Sequence, residues 1–205
     1  MLLPVLLLVG ASGVLESPPA ARPPREYSVE IRTLVQAGRP ADPFVTRLFV
    51  GGEDRTRLEV YEEDRLRYVV LHRLDRKAVY TLRPSDRTYN EQSAPELLAK
   101  GEEPVPFSLA SYRDKERRGH VTLVPEGRET ILGQPCDKYA VVRKGGLKPT
   151  HLWVSTDTGL TVQFALTDAP LPRKEWTNLK VGPQAPSLFE IPQGYRKDVP
   201  KLPAP

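Results

Sequence analysis

The stretch Leu160-Thr161-Val162-Gln163-Phe164-Ala165-Leu166 has the cleanest alternation in the chain. Leu160, Val162, Phe164 and Leu166 fall on one side of an extended backbone, with Thr161, Gln163 and Ala165 on the other, as a β-strand requires. Asp157-Thr158-Gly159 supplies the turn that leads into it. A chain organised around such segments is built from strands, and the same period recurs on both sides of this one.

Upstream, Tyr27, Val29 and Ile31 alternate with Ser28, Glu30 and Arg32. Leu58 and Val60 follow, then Leu66, Tyr68 and Val70, then Tyr80 and Leu82. The breaks at Gly51–Asp54, Glu62–Asp64, Leu74–Lys77 and Pro84–Arg87 are short and polar. Breaks of that length join antiparallel neighbours, because a parallel crossover needs a dozen or more residues. The rhythm changes at Ser93, which with Glu96 fits a capping box, and at Ser108 to Arg118, ended by Gly119; both segments are expected to be short helices. Strands resume at Val121–Val124, Glu129–Ile131, Cys136–Arg143 and His151–Val154. The sum is nine or ten strands and two helices, a mainly β (α+β) chain folded as a half-open, strongly curved antiparallel β-barrel-like sheet with short lid helices.

The 205 residues suffice for one domain, and the 22 prolines cluster where joints and tails are expected. Residues 1–17 read as a signal peptide: the apolar run Leu2 to Val9 precedes the small residues Gly10, Ala11, Ser12 and Gly13, although no Lys or Arg stands before it. Residues 18–26 form a Pro-rich tether, 27–197 the domain and 198–205 a Pro-rich tail. The expected location is periplasmic or otherwise exported, with no transmembrane segment in the mature chain, since a spanning helix needs about 20 apolar residues. A monomer is expected.

Function must come from something other than a catalytic motif. His72, His120 and His151 lack metal-ligand spacing, and neither G-x-S-x-G nor a phosphate-cradling glycine loop occurs. Glu62-Glu63-Asp64 reads as a hydrated turn. Cys136, the one cysteine, excludes an internal disulfide and reads as a buried structural thiol. The net charge of +4 arises from 30 basic and 26 acidic residues that are interspersed, so no nucleic-acid partner is expected; Arg113 to Arg118 reads as a solvated helix face. No cofactor, metal or catalytic residue is expected. What remains is an apolar concave side made of Val29, Ile31, Leu58, Val60, Tyr68, Val70, Tyr80, Leu82, Val162 and Phe164. It is either filled by the helices or open to a ligand, and only two short helices are available to fill it.

The hairpin VYTLRPSDRTYNEQ, the pair ETILGQPCDKYAV and LWVSTDTGLTVQFAL, and the closing LKVGPQAPSLFEIPQGYRK resemble LolA-like periplasmic proteins, in particular a branch ending in Leu-Phe-x-Ile-Pro-x-Gly-Tyr. The resemblance spans about Tyr27 to Lys197. It implies a half-open barrel whose concave face holds acyl chains beneath a helical lid, in proteins that carry or sense lipoproteins. On that reading the chain is a non-enzymatic carrier or chaperone for a lipid, a lipoprotein acyl chain or another amphiphile; the alternative is an envelope sensor or adaptor that binds a protein partner. The resemblance makes Ser187 to Pro192 the last edge element, with Phe189 and Ile191 sealing one rim of the sheet.

Overall fold

The computed structural model describes residues 21–34, 44–146, 148–166 and 173–198. The expected signal peptide, the first three residues of the tether and all of the tail after Asp198 lie outside the described residues. The first meander runs through β1 (Glu26–Leu34), β2 (Phe44–Gly51), β3 (Arg55–Glu62), β4 (Arg65–Arg73), β5 (Ala78–Arg83) and β6 (Thr88–Ser93). Helices α1 (Ala94–Ala99) and α2 (Leu109–Arg117) follow. The second meander is β7 (Val121–Ile131), β8 (Gln134–Arg143), β9 (Thr150–Ser155), β10 (Thr161–Leu166) and β11 (Arg173–Val181), and the chain ends on β12 (Arg196–Lys197).

All twelve strands join one sheet in the order β12-β6-β5-β4-β3-β2-β1-β11-β10-β9-β8-β7. Two antiparallel meanders are thus zipped together by β1 against β11, where Ile31 faces Trp176. Every pair is antiparallel except β12 beside β6. The edges β12 and β7 do not pair with each other, so the strongly curved sheet stays half-open.

This topology explains where the helices go. β6 and β7 stand near opposite edges of the sheet, so the chain between them must cross a face, and α1 and α2 lie on that crossing. Leu109 and Tyr112 of α2 share one core with Val29 of β1, Leu48 of β2, Leu152 of β9 and Phe164 of β10. Strands stand about 4.8 Å apart, so such distant strands meet one short helix only because the sheet curves around it. We call this the inner face.

Hairpin chemistry follows the sequence. Glu63 and Asp64 both take positive φ, at 46° and 62°, as do Leu132 and Gly133 at 50° and 76°, the mirror-image turns that suit twisted two-residue hairpins. Ser108 caps α2 by accepting from the Ser111 amide at 3.1 Å. Ser93 stands at the start of α1 but makes no side-chain cap bond, so the expected capping box does not form.

Three strands, β2, β11 and the two-residue β12, escape the sequence reading, and the two pieces Val121–Val124 and Glu129–Ile131 are one strand bent between Pro125 and Gly127. Pro125 is tolerated because β7 is an edge. The residues expected on one concave side divide between two faces of the sheet. Val29, Leu48, Leu58 and Val70 stand opposite one another across β1 to β4 and share the inner face. The next opposed pairs, Val69 with Leu82 and Leu71 with Tyr80, lie on the other side, so Tyr80 and Leu82 belong to the outer face. In β10 the register slips between Thr161 and Gln163. This bulge sends Val162 to the outer cluster of Cys136 and Trp153, while Phe164 stays inside.

Candidate functional site

The crossing between the helices roofs the inner face. Thr56 Oγ1 donates to the Pro104 carbonyl at 3.0 Å and Thr161 Oγ1 to the Phe107 carbonyl at 2.8 Å. The Phe107 ring lies 4.5 Å from Phe164 and 6.0 Å from Trp176, between centroids. His72 of β4 adds a polar anchor: Nδ1 is 3.1 Å from Thr56 Oγ1 and Nε2 is 3.2 Å from Glu102 Oε1.

The roof does not fill the space. A cavity of about 620 Å³ remains, within the range of small-molecule sites. Tyr27, Val29, Val50 and Trp176 form its buried floor. Val105 and Leu109 border it from the roof, and Leu160 and the tether residues Ala21–Arg25 from the side. The tether lies so close to the β9–β10 turn that a Cβ on Gly159 would meet the Ala21 carbonyl oxygen at 1.9 Å. Gly159 also has φ of +66°, so only glycine suits it. Burial pushes the Tyr27 phenol up to about 12, so it stays protonated at neutral pH.

The outer face over β3 to β6 is closed by the C-terminal segment, which corrects the reading of Ser187 to Pro192 as an edge element. Pro186–Phe189 is a 3-10 turn lying on the sheet, and the edge strand is Arg196–Lys197. Phe189 is 1% exposed and packs onto Gly51, where any Cβ would strike its ring at 2.5 Å. Ile191 and Tyr195 cover Val69, Leu71 and Leu82. Arg57 donates to the Leu188 carbonyl at 3.0 Å and Arg73 to the Phe189 carbonyl at 2.9 Å. Arg73 also holds Asp75 and, at 2.6 Å, Glu190.

Of the residues expected on the concave side, Val29 lines the cavity floor, and Val162 borders the cavity although its side chain packs with Cys136 and Trp153 in the outer cluster. Ile31 and Phe164 are buried in the inner core, and Leu58 packs against it. Val60, Tyr68 and Val70 lie on the inner face away from the cavity, Tyr68 being 41% exposed. Tyr80 and Leu82 face outward. Tyr27 stood in the same alternation as Val29 and was the available signal for the floor. Trp176 sits between Glu175 and Thr177 in β11, with Leu179 the next apolar residue of the strand, and Arg113 and Arg117, read as a solvated face, border the cavity.

Cys136 is fully buried, and its thiol is pushed up mainly by burial. The three histidines lie on β4, after α2 and on β9, and among the described residues no group of three His, Cys, Asp or Glu side chains is placed to hold a metal.

No family model and no curated protein matches the chain. Solved structures do. A crystal structure of MucB matches with a TM-score of 0.52 and 15% identity, over 82% of this chain and 58% of that one. The complex of MucA and MucB from Pseudomonas aeruginosa matches at 0.50 and 15%, over 80% and 55%. A LolA superfamily protein from Nitrosomonas europaea is also matched, at 0.38 and 11%, over 82% and 91%. This chain shares its fold with MucB and spans little more than half the length of the MucB chains it matches.

Proposed function

We propose that the protein is a non-enzymatic, exported, monomeric binding protein that holds one amphiphile, a lipid or lipoprotein acyl chain, in the inner cavity. The observation that carries this reading is an apolar-floored space of about 620 Å³ left between a curved sheet and a thinly fastened roof. A sealed core is packed to crystal density and leaves few voids larger than a water molecule, so a space of this size is suited to an occupant. Ten methylenes buried there would contribute about 8 kcal/mol before ordering costs, which makes roof opening the step that governs release. Among the described residues no helix is long and apolar enough to cross a membrane.

The chain has two tryptophans, which gives a direct test. Trp176 borders the cavity and Trp153 packs on the outer face. A dibrominated stearic acid quenches indoles at contact, so it should quench Trp176 in a Trp153→Phe variant and leave Trp153 bright in a Trp176→Phe variant. Equal quenching of both would sink the cavity as the binding site. The fold match to a protein solved in complex with MucA favours a second reading, an envelope sensor or adaptor with a protein partner. Native protein that co-purifies with a polypeptide and yields no lipid on solvent extraction would favour it.

A further inference from the structure

The cavity changes character from floor to mouth. Its floor residues are buried, whereas Arg22 and Arg25 of the tether and Arg113 and Arg117 of α2, which border it too, are exposed. Glu53 is the one acidic residue bordering it among the described residues. Arg117 pairs with Asp114 at 3.1 Å, but Arg22, Arg25 and Arg113 have no ion pair among the described residues. Arg113 and Arg117 stand four residues apart on one helix, a spacing at which like charges repel and weaken the helix. An anion between them removes that repulsion. Guanidinium groups match the planar, two-oxygen geometry of carboxylate and phosphate.

Tyr27 adds an independent sign. It is 4% exposed, borders the cavity two residues from Arg25, and its hydroxyl has no hydrogen-bond partner among the described residues. The fully buried hydroxyls without a partner among the described residues are those of Thr150 and Thr177; the Tyr27 hydroxyl keeps some accessible surface, so it can donate to an occupant of the cavity it borders.

We propose that the occupant is a single-chain amphiphile whose head group is an oxyanion, carboxylate or phosphate, held at the mouth by Arg22, Arg25, Arg113 and Arg117 while the chain lies on the apolar floor. The proposal rests on the reading of the cavity as an acyl site and names the class of ligand it takes. The arginines are what make the site selective.

The experiment compares dibromostearate with the matching dibrominated stearyl alcohol, both read by Trp176 quenching in the Trp153→Phe protein at low salt. The acid is expected to bind about tenfold tighter. Arg25→Gln with Arg113→Gln should erase that advantage and leave the alcohol unchanged; both side chains are exposed, so thermal melting should move little. Displacement of the probe by stearate or by lysophosphatidylglycerol then tells a carboxylate from a phosphate source, and either supports the proposal. Alcohol that binds as tightly as acid, or variants that weaken both equally, would overturn it while leaving the acyl site intact. Failure of both probes to quench Trp176 would remove the acyl site as well.

Discussion

On the outer face of β3 to β6 the covering segment is fastened through its main chain, with Arg57 and Arg73 donating to the carbonyls of Leu188 and Phe189 and Arg73 and Arg76 gripping Glu190. On the inner face the roof hangs from two threonine hydroxyls and one histidine, and a cavity stays beneath it. One sheet thus carries a tight cover and a loose one. Lifting the outer cover exposes Phe189 and takes from Arg57 and Arg73 their charge-assisted bonds to the Leu188 and Phe189 carbonyls and to Glu190, leaving Arg57 with Glu59 and Arg73 with Asp75. Lifting the inner one breaks mostly neutral hydrogen bonds, each with a net worth of about 1 kcal/mol. Motion that admits a ligand therefore belongs to the inner face.

The sharpest way to break this comparison is Phe189→Ala. It empties a fully buried aromatic site and should cost about 3–5 kcal/mol of unfolding free energy. Urea melting measures it, and the folded fraction should bind the brominated probe as the parent does. A cost below about 1 kcal/mol would mean that the outer cover is not structural.

Arg73→Met comes next. It leaves the Phe189 carbonyl without its donor and Glu190 with Arg76 alone. Breaking a fully buried pair costs about 3–5 kcal/mol, but Asp75 and Glu190 are 37% and 48% exposed, so water shares the load and about 2 kcal/mol is expected. Phe107→Ala tests the loose side. The half-buried ring should cost about 1–2 kcal/mol and raise the probe's dissociation rate more than it lowers the association rate. Unchanged dissociation would mean that the roof does not gate the cavity.

The hairpins, both helices and the buried thiol were legible because local chemistry decides them: turn residues at Glu63-Asp64, the Ser108 cap, the period-two run from Tyr27. The faces were not, for identifiable reasons. In β4 and β5 both sides are covered, and the outer cover arrives more than a hundred residues later in sequence, so alternation could not say which side Tyr80 and Leu82 take. The bulge at Val162 adds a residue without disturbing the composition of an alternating run. Strand β11 hides behind charged residues whose long stems cover apolar surface while their heads stay in water. Arg113 and Arg117 become a rim only when the fold sets α2 beside the tether.

The smallest expected effect separates the two covers by acid. His72 is 2% exposed, and its imidazole is held below its ordinary value by burial, which Glu102, the charged group facing it, only partly offsets; Thr56 of β3 and Val79 of β5 flank it without charge. The folded value thus lies below the unfolded one of about 6.5, so the unfolded chain takes up the proton first as pH falls. The stability that neutral His72 contributes is present above about pH 6.5 and is lost as pH falls through the folded value. On the outer face the sign is the same but the window is lower. Burial pushes the Glu190 carboxyl up, yet Arg73 and Arg76 pull it down further, and Arg73 holds Asp75 down, so both carboxylates keep their charge until pH falls below the ordinary carboxylate range near 4. Between about pH 6 and 4.5, amide protection, measured relative to intrinsic exchange at each pH, should fall across Gly101–Phe107 and not across Pro186–Asp198, and His72→Gln should abolish the difference. A His72 imidazole that titrates by NMR at or above 6.5 would show that Glu102 outweighs burial, and the acid-sensitive cover would then not be the inner one.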